Sequence, residues 1–147
     1  MTSMTMELEG AEKLAVALDK LTKAAEVHVS RALSATGLEL RGDIVKRYNK
    51  GPATGVVYDL SSPNRTHRAS APGEAPMTDT GRLASSVTFK EVPAKLAVEV
   101  ESKIDYAAHL EFGTRRMAAR PAWVPAIEDM APKFRKRIEG ALRKATQ

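Results

Sequence analysis

From Ala11 onward the apolar residues recur at three- and four-residue steps: Leu14, Leu18, Leu21, Ala25, Val29, Ala32, Thr36, Leu40, Ile44 and Tyr48. That period predicts one long amphipathic helix with a single buried stripe. Its other faces carry Lys13, Asp19, Lys20, Lys23, Glu26, Arg31, Glu39 and Arg41, the mixed charge of a solvated surface. Gly37 lies within it and predicts a bend, because backbone without a Cβ deforms more easily. Gly51 and Pro52 end it. Residues 1–10 are short and mixed, and read as an N-terminal arm or as a small edge strand through Met4, Met6 and Leu8.

After the helix the pattern breaks down. Residues 51–79 are rich in Gly, Pro, Ser, Thr and Asn and predict an extended loop, with a brief strand at Val56, Val57 and Tyr58. Thr80 to Ser86 predicts one helical turn presenting Leu83. Val87 and Phe89 then alternate with polar residues, Pro93, Ala94 and Lys95 form a turn, and Leu96, Val98 and Val100 alternate with Ala97, Glu99 and Glu101. This is a β-hairpin with one buried face.

The stretch from Asp105 to Pro125 joins the hairpin to the last helix. Asp105 is placed to cap a two-turn helix in which Tyr106 and Leu110 share a face. Gly113 supplies the left-handed stop after Phe112. Pro121 and Pro125 bracket Ala122, Trp123 and Val124 in a stiff segment, and Arg120 is driven toward extended geometry by the proline that follows it. A final helix begins near Pro125 with Ile127, Met130, Phe134, Ile138, Ala141 and Leu142 on one stripe. Pro132 predicts a kink near Glu128 or a helix start beyond it. The fold class is therefore α+β, in a single domain over residues 1–147. A long N-terminal helix packs on a small antiparallel sheet, and a long loop, a short helix and a C-terminal helix complete it.

Composition narrows the chemistry. The 147 residues contain no cysteine, which leaves neither a disulfide framework nor a thiolate metal site. No run is long and apolar enough to suggest a membrane span, and the first residues do not resemble a signal peptide. The net charge is +5, and its location is uneven. Residues 1–110 hold 14 Lys+Arg and 14 Asp+Glu, whereas residues 111–147 hold nine and four. An excess confined to the C-terminal third suits an acidic partner or phosphate, and equally suits the negative end of a final helix.

No phosphate-binding glycine loop, nucleophile elbow or zinc-protease motif is present. His28, His67 and His109 lack metal-ligand spacing. Glu101, Lys103 and Asp79 could hold Mg²⁺ in a nuclease, but Glu99 and Glu101 fall on the hairpin face opposite the apolar row, where a solvated strand accounts for them. Neither catalytic residues nor a cofactor are expected. Arg115, Arg116 and Arg120 cluster in sequence beside Trp123, a combination suited to phosphate and base contact or to a protein interface.

Two tracts carry a resemblance. Tyr106, Ala107, Leu110, Glu111, Phe112, Gly113 and Thr114, followed by Arg120, Pro121, Trp123, Pro125 and Ala126, form the first. The second is His67, Ala69, Ser70, Ala71, Pro72, Gly73, Glu74, Ala75 and Pro76, then Asp79, Thr80, Gly81, Arg82, Leu83 and Ser85. Together they resemble the tail-completion, or head-to-tail joining, proteins of long-tailed bacteriophages; Ala122 departs from the pattern, which favours a larger apolar residue there.

The resemblance implies a structural virion protein of the phage neck or tail, assembled in the bacterial cytoplasm. It would join tail to head as a homo-oligomeric ring around the DNA channel, with six subunits expected. Its partners would be its own copies, the head-closure or connector protein, and the tail-tube or tail-terminator protein, with non-specific contact to phage DNA and no membrane.

Tyr106, Glu111, Phe112, Gly113, Arg115, Arg116, Arg120, Pro121 and Trp123 are the expected interface. His67, Pro72, Gly73, Pro76, Gly81 and Leu83 form a loop interface that orders on assembly. Tyr106 and Phe112 of the first set, together with Leu110, are expected as local core, Trp123 as an exposed anchor, and Arg115, Arg116 and Arg120 as DNA contacts. The alternatives are a nucleic-acid-binding protein using the basic C-terminal third and, less favoured, a metal-dependent nuclease.

Overall fold

The computed structural model describes residues 11–60 and 66–147. The expected N-terminal arm, residues 1–10, lies outside the described residues. Helix α1 runs from Ala11 to Lys50, and the small strands β1 (Val57–Asp59) and β2 (Thr66–Arg68) pair antiparallel. Helix α2 is the single turn Arg82–Ser85. Strands β3 (Val87–Val92) and β4 (Ala97–Ser102) form a second hairpin, closed by a 3₁₀ turn at Pro93–Lys95. Helices α3 (Asp105–Phe112) and α4 (Trp123–Ala145) follow. The α+β reading therefore holds, with two separate two-stranded sheets.

Helices α1 and α4 lie antiparallel. Arg47 meets Asp129 at 2.5 Å, Glu39 accepts from Lys133 at 2.8 Å and from Arg137, and Arg137 also donates to Thr36. Near the far end of α4, His28 and Ala32 lie by Ala141 and Lys144. The core sits at the other end of this pair, where Ile44 and Tyr48 of α1 meet Leu83 and Ala84 of α2, Val87 of β3, Ala107 of α3, and Ala122 and Ala126 at the start of α4.

The β3–β4 register pairs Val87 with Ser102, Phe89 with Val100 and Glu91 with Val98. Directly opposed residues share a face, so Val87, Phe89, Val98 and Val100 line the side toward α1. Glu99 and Glu101 pair with Lys90 and Thr88 on the other side, as their spacing predicts. Gly37 lets this hairpin approach: a Cβ there would stand 2.5 Å from Phe89 Cε2 and 3.0 Å from Val98 Cγ2. Its use is close packing of the hairpin against α1, within one continuous helix.

Other expectations are corrected. Leu96 is not a strand residue; it closes the hairpin turn with φ +46 and is exposed. Asp105 is the first helical residue of α3 and makes no cap bond, because Ile104 takes the N-cap position. Trp123 and Val124 are helical from the outset, so the proline-framed extended segment is absent and Pro132 lies inside α4, well after its start. The apolar stripe predicted for α4 is buried at Met130 and Ala141, half-buried at Ile138 and joined by Ala126, but is not buried elsewhere. Ala126, Met130 and Ala141 are buried, whereas Ile127, Phe134 and Leu142 are exposed. Small residues let α4 lie close to α1, and the larger side chains of the neighbouring stripe face outward.

The first half of α1 also departs from its predicted stripe. Leu14, Leu18 and Leu21 are 62%, 53% and 40% exposed, and every residue from Lys13 to Lys23 is exposed. Helix α4 ends opposite the region of His28, so nothing in the chain's described residues packs over this arm.

Candidate functional site

The structure draws the two sequence tracts together. His67, Ser70, Pro76, Met77, Asp79 and Leu83 from the middle of the chain line one pocket with Tyr106, Leu110 and Arg120. The segment after β2 is tied down by many bonds. Glu74 accepts from Thr54 N and Thr54 Oγ1 and from Ala71 N, which together hold its carboxyl below the usual 4.5. Thr78 N donates to Tyr48 O at 2.9 Å, and Gly73 N donates to Ala119 O at 2.9 Å. The predicted extended loop thus contains the paired strands β1 and β2 and a fixed turn; its residues 61–65 lie outside the described residues.

Within the loop set, Pro76 and Leu83 are buried, and His67 is half-buried with Nδ1 3.7 Å from Asp79. Pro72 and Gly73 are exposed on the turn. Gly81, at φ +78, precedes α2, and its N–H donates to Thr78 Oγ1. Ser70 is 2% exposed and accepts from Arg120 Nη1 at 3.4 Å.

Glu111 is the least anticipated residue of the region. It is buried, and its carboxylate accepts from the backbone N–H of Ala122 (2.8 Å), Trp123 (3.0 Å) and Val124 (2.8 Å). Helix α4 has no capping side chain of its own at Ala122. A carboxylate from α3 therefore occupies the N-terminal end of α4, where orphan donors and the helix dipole favour negative charge. Both of its oxygens are engaged within the chain, while the residue also lines the groove between α3 and α4. An alanine at position 122 fits this geometry: it is completely buried between the two helices.

The exposure expected of Trp123 is corrected. It is half-buried against the core, and its indole N–H donates to Tyr48 Oη at 2.7 Å. Burial pushes the Tyr48 hydroxyl up to about 12. Phe112, expected in the core, is 75% exposed. Position 112 lies on the α3 face opposite buried Ala107, while Glu111 turns inward. Gly113 adopts φ +75 with an extended ψ, and a Cβ there would lie 2.8 Å from both Ala119 N and Met117 O. The glycine is required by positive φ and by the chain folding back over it. Thr114 and Met117 then close a tight turn that displays Arg115 and Arg116.

The three arginines do not form one cluster. Arg115 and Arg116 are exposed, while Arg120 is drawn in: its N–H donates to Leu110 O at 2.7 Å and its buried Nε has no partner among the described residues. Pro121 is half-buried behind it. Tyr106 is 40% exposed at the pocket mouth. On the other side of α3 lies a groove of about 330 Å³. Ala107, Ala108, Phe112, Trp123, Val124 and Ile127 are among the residues that line it, and the large side chains of Phe112, Val124 and Ile127 stand well into solvent.

Among the described residues no group of acidic, histidine or cysteine side chains is arranged to hold a metal ion, and no helix is long and apolar enough to cross a membrane. Glu101, the centre of the nuclease reading, lies 3.3 Å from Lys103 in an exposed pair.

Residues 12–113 match the family described as "Bacteriophage HK97-gp10, putative tail-component". The chain belongs to this HK97-gp10-like family. The matched span takes in α1, both hairpins and all of α3, ending at Gly113, so the family relation covers the framework that carries the pocket and one wall of the groove. Helix α4, which holds much of the excess positive charge, follows the matched span. No curated protein and no solved structure matches the chain. As a phage tail component the protein is part of the virion, consistent with the resemblance seen in its two tracts.

Proposed function

We propose that this tail component completes the head-proximal end of the tail and joins it to the head, acting as a homo-oligomeric ring of about six subunits around the DNA channel. Its neighbours are the head-closure or connector protein on one side and the tail-tube or terminator protein on the other, and it assembles in the host cytoplasm. It makes and breaks no covalent bond. Assembly is driven by burial of apolar surface and by complementary charge.

The observation that carries this reading is the pair of uncovered apolar surfaces in a tail-component chain: the leucines of the α1 arm and the groove at Phe112, Val124 and Ile127. Contiguous apolar surface of this kind is characteristic of protein interfaces. Apart from these surfaces, the exposed Arg115 and Arg116 supply positive charge on the Thr114–Met117 turn, available to an acidic partner or to passing DNA. Gold-labelled antibody against the protein tests the location. Label at the junction between head and tail supports the proposal; label at the distal tail tip, or along the whole tube, contradicts it.

A further inference from the structure

Two unpartnered apolar surfaces lie at opposite ends of the subunit. One is the α1 arm. Residues 11–27 make about 25 Å of helix at roughly 1.5 Å per residue, extending past the end of α4. Leu14, Leu18 and Leu21 fall on one side of it, all exposed. A solvated helix of this length is marginal on its own, so its leucine stripe calls for a partner surface. The other surface is the groove between α3 and the first turns of α4, next to the Tyr48 end of α1.

Charge distinguishes the two. Lys13 and Lys20, one heptad apart, run along a flank of the leucine stripe, and neither is ion-paired among the described residues. At the groove, Asp105 stands on the same α3 face as Ala108 and Phe112, and Glu128 follows Val124 by one turn; both are exposed, with no ion pair among the described residues. Positive flank and negative rim are complementary. Two arms brought together would set lysine against lysine.

We infer that the α1 arm of one subunit lies in the α3–α4 groove of the next copy of the same chain, Leu14, Leu18 and Leu21 packing on Phe112, Val124 and Ile127. Because the two surfaces differ and sit at opposite ends, the contact is heterologous, the kind that closes a ring when the rotation permits. This rests on the ring reading and assigns its subunit interface.

The absence of cysteine makes the test direct. Full-length Leu18→Cys and Ile127→Cys proteins are oxidised alone and mixed, both free in solution and in assembled particles. The inference predicts a cross-linked dimer in the mixture and none with either alone. Self-cross-linking of L18C would mean that arms pair with arms, and would overturn it. A ring that forms with no cross-link in the mixture overturns the inference and leaves the ring standing on another surface. A chain that is monomeric free and single-copy in particles overturns both.

The second arm of the test uses charge at the same exposed positions, where folding is spared. Leu18→Asp and Ile127→Asp should each be monomeric and, mixed, should give a dimer and nothing larger, since only one intact arm and one intact groove remain to meet. Wild-type-sized oligomers from either variant alone contradict the inference.

Discussion

The carboxylate of Glu111 accepts the backbone N–H of Trp123 from the helix before it, at 3.0 Å, and so couples the end of α3 to the start of α4. With Ala122 and Val124 also donating to it, three first-turn amides depend on one buried side chain. Glu111→Ala should lower stability by at least about 2 kcal/mol, because it leaves those donors unsatisfied in a buried place. Glu111→Gln, which keeps one good acceptor, should recover part of the loss. Denaturant midpoints of the three proteins check this; an unchanged midpoint for the alanine variant contradicts it.

Phe112 and Trp123 exchange the roles that their sequence context suggests. Phe112→Ala should change stability by less than about 0.5 kcal/mol, since its ring is largely in solvent. Trp123→Ala removes a half-buried indole and its bond to Tyr48, and should cost about 2–4 kcal/mol. The reverse order in thermal unfolding would show that Phe112 is packed in the native subunit. In the assembly the ranking should invert, with Phe112→Ala weakening subunit association while the fold is intact.

Gly113 holds a backbone geometry that side chains rarely adopt, with the chain from Met117 to Ala119 folded close over it. Gly113→Ala should cost about 1–3 kcal/mol from positive φ alone, and more if the returning chain must shift. Equilibrium unfolding measures it. A stabilised variant would mean that the turn relaxes freely.

Acid should loosen the α1–α4 pair. Hydrogen bonds from Lys133 and Arg137 hold the Glu39 carboxyl below its usual 4.5. Its folded value lies under the unfolded one, so the stabilisation is present above about pH 4.5 and is lost as pH falls through the folded value. Lys133, raised by the same pairing, contributes below its usual 10.5 and loses its contribution as pH rises through the folded value. Glu39→Gln should therefore unfold with a shallower acid limb than wild type, and the two curves should converge at low pH. Glu74, also depressed, leaves a residual limb in the variant. Parallel curves for the two proteins would contradict the assignment.

Periodicity revealed the elements well and their partners poorly. The long helix, the β3–β4 hairpin with its inward Val87 and Phe89, the turn at Leu83 and the short α3 all follow from local pattern. The exact buried face of α4 follows only in part: Met130 and Ala141 are on the expected stripe, but close helix packing selected Ala126 over the larger Ile127, and spacing alone ranks the larger one first. Leu14, Leu18 and Leu21 continue the same stripe as Ile44 and Tyr48, yet the partner helix ends before reaching them. The capping role of Glu111 depends on a contact across a loop. The signal available was indirect: α4 begins after alanine, with no side chain of its own to cap it.

Deletion of the gene from its phage, followed by electron microscopy of the lysate, tests the central claim most directly. Tail completion predicts DNA-filled or leaking heads and separate tails, restored to joined particles by the wild-type protein supplied in trans. Particles that join and retain their genome without the protein would contradict the account.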